Sequence, residues 1–346
     1  DVWDPFGGNR YPFNEEVPAR AIPADSRINI HTHRGDVVVH PEAAAAIRVL
    51  AKKMVSGMSE AEAEKRARHV SVGVTEIPGG YEVRPGGASG HAEVDLEVQV
   101  PKQASVTAWT GRGAVQISGL EGNTTVHGEH GDIEIRDAGG DVSVELSRGD
   151  ARIVGAGGNV KLSGRGSRVD VTDVKGQATV EGEFFGPIRI EKVGKDVRFI
   201  SRRTDLTVTQ LAGRIETGGG RLEISDAPGN LSLTTREYDI VLENVRGRVH
   251  IQNRDGSVKL HFAQPPREGV DVSNASGDIE VTMPAKSNFE VHAETRSGQI
   301  ESEFPELASL AKEEHSTARL DGTLGTKGPQ FHLRTSYGTI RLHKSQ

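Results

Sequence analysis

A chain of 346 residues with 42 Lys+Arg against 49 Asp+Glu carries a formal charge of −7, a balance that argues against nucleic acid as a main partner. It has 42 glycines, 4% aromatic residues and no cysteine, so the core is made of Val, Ile, Leu and Ala between frequent turns, and disulfides, thiolate metal sites and cysteine nucleophiles are excluded. No apolar run approaches the roughly 18 residues of a membrane span.

In chain order, residues 1–26 hold Trp3, Phe6, Tyr11 and Phe13 among prolines and glycines, the composition of an extended arm or packed strap. The first residue is Asp1 rather than Met, which fits removal of a leader segment or trimming, and export is the favoured reading. Residues 27–104 form a mixed, mostly β cap. "RINIHT", "GDVVVH", "AIRVLAKKMV", "HVSVGV", "YEVRP" and "AEVDLEVQV" read as strands there, and "SEAEAEKRARH", residues 59–69, reads as a helix whose Ser59 and Glu62 make a capping box.

Residues 105–262 repeat with a period of nine. "DAGGDVSVE", "LSRGDARIV", "GAGGNVKLS", "GRGSRVDVT" and "DVKGQATVE" follow one another without a gap from Asp137 to Glu181. Each unit is a polar or glycine turn followed by an apolar-polar-apolar triplet, which a helix cannot accommodate. The step continues through Ile188, Val197, Leu206, Ile215, Leu222, Leu231, Ile240, Val249 and Val258, with one unit a residue longer and one two residues shorter.

Alternate units carry an apolar second residue (Ala138, Ala156, Val174, Ala227, Val245), so two units make one 18-residue coil with two short strands and two different corners. The fold class is all-β: a parallel β-solenoid of about nine coils over this stretch, each strand pairing in parallel with its equivalent one coil on, beneath the helix-containing N-terminal cap. One strand of each coil is expected to present an outward row Arg152, Asp170, Arg189, Thr207, Glu223, Val241 and Lys259. Residues 263–346 lengthen the repeat to roughly twenty and end the stack as a C-terminal cap.

"RINIHTHRGDVVV", the glycine-punctuated middle, and "SGDIEVTMP", "SGQIESEF" and "SYGTIRLHK" resemble the bacterial "putative adhesin" domain of unknown function, the Toastrack family, from about Arg27 to His343. The resemblance implies a β-helix-like fold, export to the periplasm or cell surface, and no enzymatic activity or catalytic residues to carry over.

Candidate sites are few. His31 with His33, and His127 with His130 beside Glu129 and Asp132, have metal-ligand chemistry but no clear third ligand, so they read as surface residues. "GAGGN" and "TGGGR" lack the following helix of a phosphate loop, and no cofactor is expected. Asp170, Glu216 and Glu223 are scattered among basic neighbours, which leaves a carbohydrate-active lyase or hydrolase as the alternative reading.

Arg148, Arg165, Arg202, Arg203, Arg236 and Arg254 recur near one corner of the coil and would suit an anionic polysaccharide. Arg148-Gly149-Asp150 and Arg34-Gly35-Asp36 match a familiar adhesion tripeptide, but both fall where the repeat needs a glycine bend and a polar lead into a strand. The expected function is therefore a non-catalytic, exported interaction, adhesion or scaffold module binding an anionic glycan or an envelope protein, with end-to-end self-assembly as a further alternative.

Overall fold

The computed structural model describes residues 8–87 and 92–346, so Trp3 and Phe6 of the expected arm lie outside the described residues. The chain divides into two compact units, Asp1–Asp170 and Val171–Gln346. Each is a β-solenoid in which successive short strands alternate between two parallel-rich sheets.

In the first unit, Thr124–His130, Val142–Leu146 and Val160–Gly166 lie side by side in what is here termed the front sheet, with Thr124 opposite Val142 and Val142 opposite Val160. Val115–Ser118, Ile133–Ala138 and Ala151–Ala156 do the same in the back sheet. Both sheets step by 18 residues per coil. Alternation sets the core: Val142, Val144 and Leu146 are each 1% exposed while Ser143 and Glu145 face solvent. Each such aliphatic side chain contributes about 1.5–3 kcal/mol by leaving water.

The turns from front to back sheet are stacked as closely as the strands. Gly113, Gly131 and Gly149 have φ of +149°, +146° and +126°, and a Cβ on any of them would overlap the carbonyl oxygen of the equivalent glycine one coil earlier. The residue after the glycine ties the coils laterally. Asp150 donates its N–H to Asp132 Oδ1 at 2.9 Å, and its own Oδ1 accepts the Arg168 N–H at 2.9 Å. Asp36 likewise donates to Asp95 Oδ1 and accepts from the Ala114 N–H, both at 2.7 Å. Both Arg-Gly-Asp tripeptides thus spend their aspartate on joining coils. Asp150→Ala is expected to lose about 1 kcal/mol, the worth of a typical hydrogen bond. In a thermal melt the first unit should unfold a few degrees earlier with the same folded spectrum.

The cap grows from the first coil. Arg27–Arg34 pairs in parallel with Ser105–Arg112, a step of 78 residues (Arg27 opposite Ser105), and on its other side with Gly80–Pro85. Asn9–Ala21 adds an antiparallel edge strand to Ala46–Gly57, so Tyr11 and Phe13 belong to a sheet. Pro12 and Pro18 interrupt the hydrogen-bonding pattern of that edge, a device that discourages strand addition. The helix Glu60–His69 starts at Ser59, whose side chain accepts the Glu62 N–H at 3.3 Å, while the Glu62 carboxylate reaches back to the Met58 N–H at 2.9 Å. Lys53, 6% exposed, is bound by Glu15 and by the Ala67 carbonyl at the end of that helix.

The second unit departs from uniform parallel pairing in two places. Val197–Ile200 folds back on Asp205–Val208 through the turn Ser201–Thr204, where the Ser201 N–H reaches the Thr204 carbonyl at 2.8 Å. Leu211–Gly218 then runs antiparallel to both Ile188–Val193 and Arg221–Ala227, the second reversal being made by Gly219 and Gly220 at φ +59° and +78°. Two consecutive residues with positive φ form the tight hairpin whose twist suits antiparallel strands. One coil therefore runs backwards. Thr207 sits in the front sheet opposite Arg198 and Ser232, and it is Glu216 that lies between Arg189 and Glu223 in the back-sheet row.

At the far end the spatial order of coils differs from the chain order. The last strands, Gln330–Tyr337 and Ile340–Ser345, slot between the coil Val270–Pro284 and the coil Phe289–Ser302 in both sheets. Phe331 is the centre of an aromatic core, with ring centroids 5.2 Å from Phe289 and 6.0 Å from Phe262, and Phe289 meets Phe304 edge-on at 5.8 Å.

Candidate functional site

The glycine turns of the first unit also place the residue before each glycine in register. Arg34 lies opposite Arg112, and Arg112 opposite His130. The Gly131 N–H then donates to the Arg148 carbonyl at 3.1 Å, which continues the row by one coil. Arg34, Arg112 and Arg148 are exposed, and among the described residues none of the three has a carboxylate partner. Cations spaced by about 4.8 Å, one strand separation, repel one another unless an anion lies across them.

Of the six arginines singled out in the sequence, only Arg148 falls on this row. Arg165 stands in the same unit near the end of the strand Val160–Gly166. In the second unit the residues before the equivalent glycines Gly256, Gly277, Gly298 and Gly338 are Asp255, Ser276, Ser297 and Tyr337. There Arg202 and Arg203 occupy the reversing turn, Arg203 bonded to Glu237 at 3.1 Å, and Arg236 and Arg254 lie nearby, the latter 4.0 Å from Asp255. Arg34 and Arg112 were not among the six. Their signal is the dipeptide itself: Arg or His followed by a glycine that must adopt positive φ.

Beside the row, the outward side of the front sheet carries a stack of rings. His31 lies parallel to Trp109 at 4.2 Å between centroids and 1° between planes, and His127 covers the other face at 5.4 Å and 11°. Glu145 ends the stack by bonding His127 Nδ1 at 3.1 Å. Burial, and after it the Arg84 charge, holds His31 below the usual histidine range against the opposing pull of Glu82, which favours the neutral ring. The histidines flagged for metal chemistry are thus used one from each pair as ring partners. Among the described residues no group of three or more His, Asp or Glu side chains is disposed to hold a metal.

Two residues further along the same strands, at His33, Gly111 and Glu129, the outward row is interrupted. A Cβ at Gly111 would lie 2.7 Å from the His33 carbonyl oxygen, so that position carries no side chain. The gap opens into a recess of about 560 Å³ lined by Trp109, Gly111, His33, Arg34, Glu129 and Ser147 among others.

Two of the three acids weighed for catalysis are held by cations. Glu216 lies 3.7 Å from both Arg189 and Arg214, and Glu223 is bonded to Arg221 at 2.5 Å, whereas Asp170 belongs to the first unit. No helix of the described residues is long and apolar enough to cross a membrane.

A family model described as Toastrack DUF4097 matches residues 26–343. No curated protein matches the chain. Among solved structures it is similar to a "putative cell adhesion protein" of Clostridium sporogenes, at 7% identity and a TM-score of 0.19 over 97% of this chain and 100% of that one. It is also similar to a "putative adhesin" of Bacteroides fragilis, at 9% and 0.29 over 96% and 97%, and to one of Parabacteroides distasonis, at 10% and 0.26 over 96% and 98%.

Proposed function

Because the chain belongs to the Toastrack DUF4097 family, we propose that it is a non-catalytic, exported interaction module of the bacterial envelope, adhesion-like in role, that engages an anionic polysaccharide through its arginine-bearing turns. The observation that carries this reading is the in-register row Arg34, Arg112, His130 and Arg148, whose guanidinium groups are left without carboxylates among the described residues. A polymer with regularly spaced carboxylates or sulfates relieves the repulsion along such a row and gains charge-assisted hydrogen bonds. In the second unit Arg202, Arg203, Arg236 and Arg254 are proposed as a further basic stretch. Arg203 contributes less because Glu237 already neutralises it.

A non-catalytic role is supported by Glu216 and Glu223, whose carboxylates are already engaged by Arg189, Arg214 and Arg221. The test is elution from heparin–agarose, heparin serving as a generic anionic polysaccharide. Arg112→Ser with Arg148→Ser should elute at clearly lower salt than the parent protein, with an unchanged circular dichroism spectrum. Equal elution salt would overturn the reading.

A further inference from the structure

We infer that the recess over Gly111 is a binding subsite for one acidic pyranose residue, a hexuronate. The inference deepens the reading above, since Arg34 belongs to both the recess and the basic row.

The argument starts from what the recess leaves unsatisfied. His33, Arg34 and Glu129 are exposed side chains at its rim, and among the described residues none of the three side chains has a hydrogen-bond or ion-pair partner. His33 and Glu129 flank Gly111 in register, about 9.6 Å apart, two strand separations, and the His33 ring leans toward the glycine, its Nδ1 3.4 Å from where a Gly111 Cβ would stand. The recess of about 560 Å³ has the volume for one six-membered ring beside that imidazole.

The chemistry of the walls selects the ring. Trp109 forms one side, and because His31 and His127 occupy both its faces, it offers an apolar edge held rigidly in place. A phosphate group would meet Glu129 and Glu145 and be repelled. A purely apolar ligand would strand Arg34, Arg84 and Glu129 without water. A neutral sugar would satisfy Glu129 and Glu145 through its hydroxyl donors but leave the Arg34 guanidinium without an anion, Arg84 being already paired with Glu82 at 3.5 Å. A hexuronate supplies all of these: hydroxyls that donate to Glu129, Glu145 and Ser147, a planar carboxylate that matches the Arg34 fork, and C–H groups against the indole edge. Polymers of such a unit would also run on to the basic row, whose next member is Arg112.

The chain holds two tryptophans, so Trp3→Phe leaves Trp109 as the sole reporter inside the recess. In that background, trigalacturonate and a hyaluronan tetrasaccharide are titrated separately while tryptophan emission is followed, the two probes separating galacturonate from glucuronate sources. A saturable emission change with at least one of them is expected, weakened at least tenfold by Arg34→Ser with Glu129→Gln, and absent with the neutral methyl ester of trigalacturonate. Both substituted residues are exposed, so circular dichroism should be unaltered. No saturable change with either probe, or an undiminished one in the double variant, overturns the subsite. Arg112→Ser with Arg148→Ser lies outside the recess. If that pair leaves heparin elution unchanged while trigalacturonate still binds, the envelope reading fails and the subsite stands.

Discussion

Gly131→Ala is expected to destabilise the first unit by roughly 3 kcal/mol, the combined scale of a backbone conformation that L-residues avoid and of an overpacked contact. At φ +146° the residue lies where a side chain is strained whatever the space around it, and here the space is taken by the Gly113 carbonyl oxygen. Relief by local movement is blocked on both sides. The Gly131 N–H is bonded to the Arg148 carbonyl, and the Gly113 N–H to the His130 carbonyl, so shifting one turn shifts its neighbours. The measurement is the midpoint of chemical denaturation followed by Trp109 fluorescence. Gly155→Asn is the control: Gly155 has φ +84°, but its counterpart one coil earlier, Asp137, holds a side chain at φ +51°, so this change should stay within about 0.5 kcal/mol. Equal effects from the two substitutions would refute the stacking argument.

Ending the chain at Pro329 is expected to unfold far more than the residues removed. Phe331, Leu333, Ile340 and Leu342 are each at most 1% exposed, and losing four such side chains removes about 6–12 kcal/mol of burial, comparable with the net stability of a whole domain. In a stack whose spatial order followed its sequence, such a cut would strip one terminal coil. Here it empties the layer between Val270–Pro284 and Phe289–Ser302, and Phe289 loses the ring against which it packs. Hydrogen exchange should show fast exchange throughout 289–324 with the first unit unaffected. Slow exchange surviving over 289–302 would show that the layer closes up without its insert.

The sequence reveals the inward positions almost completely and the direction of the strands hardly at all, for one physical reason. Burial alternates along a strand whichever way it runs, so Val197, Phe199, Leu206 and Val208 keep the apolar pattern across a reversal. The unit shorter by two residues, between Ile215 and Leu222, is the only trace of the second hairpin, and Gly219-Gly220 is its turn. The C-terminal order was illegible because strands 61 and 40 residues apart pair with the same ease as strands 18 apart once their patterns match. At the site, the 18-residue step places His127 beside Trp109, but His31 reaches the stack only through a 78-residue excursion that no period announces. The recess was harder still, since it is made by the side chain Gly111 lacks.

The backward coil also constrains how such a chain can change length over generations. Where every coil points the same way, recombination can duplicate or delete any 18-residue segment and leave neighbouring strands correctly paired. Between Val197 and Ala227 that freedom ends, because removing either hairpin alone would turn every later strand to face its neighbour in the wrong direction. The two turns can be gained or lost only together. Growth and shrinkage of the lineage are thereby confined to the uniform stretches on either side, and the reversed coil marks a fixed point by which relatives of different length can be aligned.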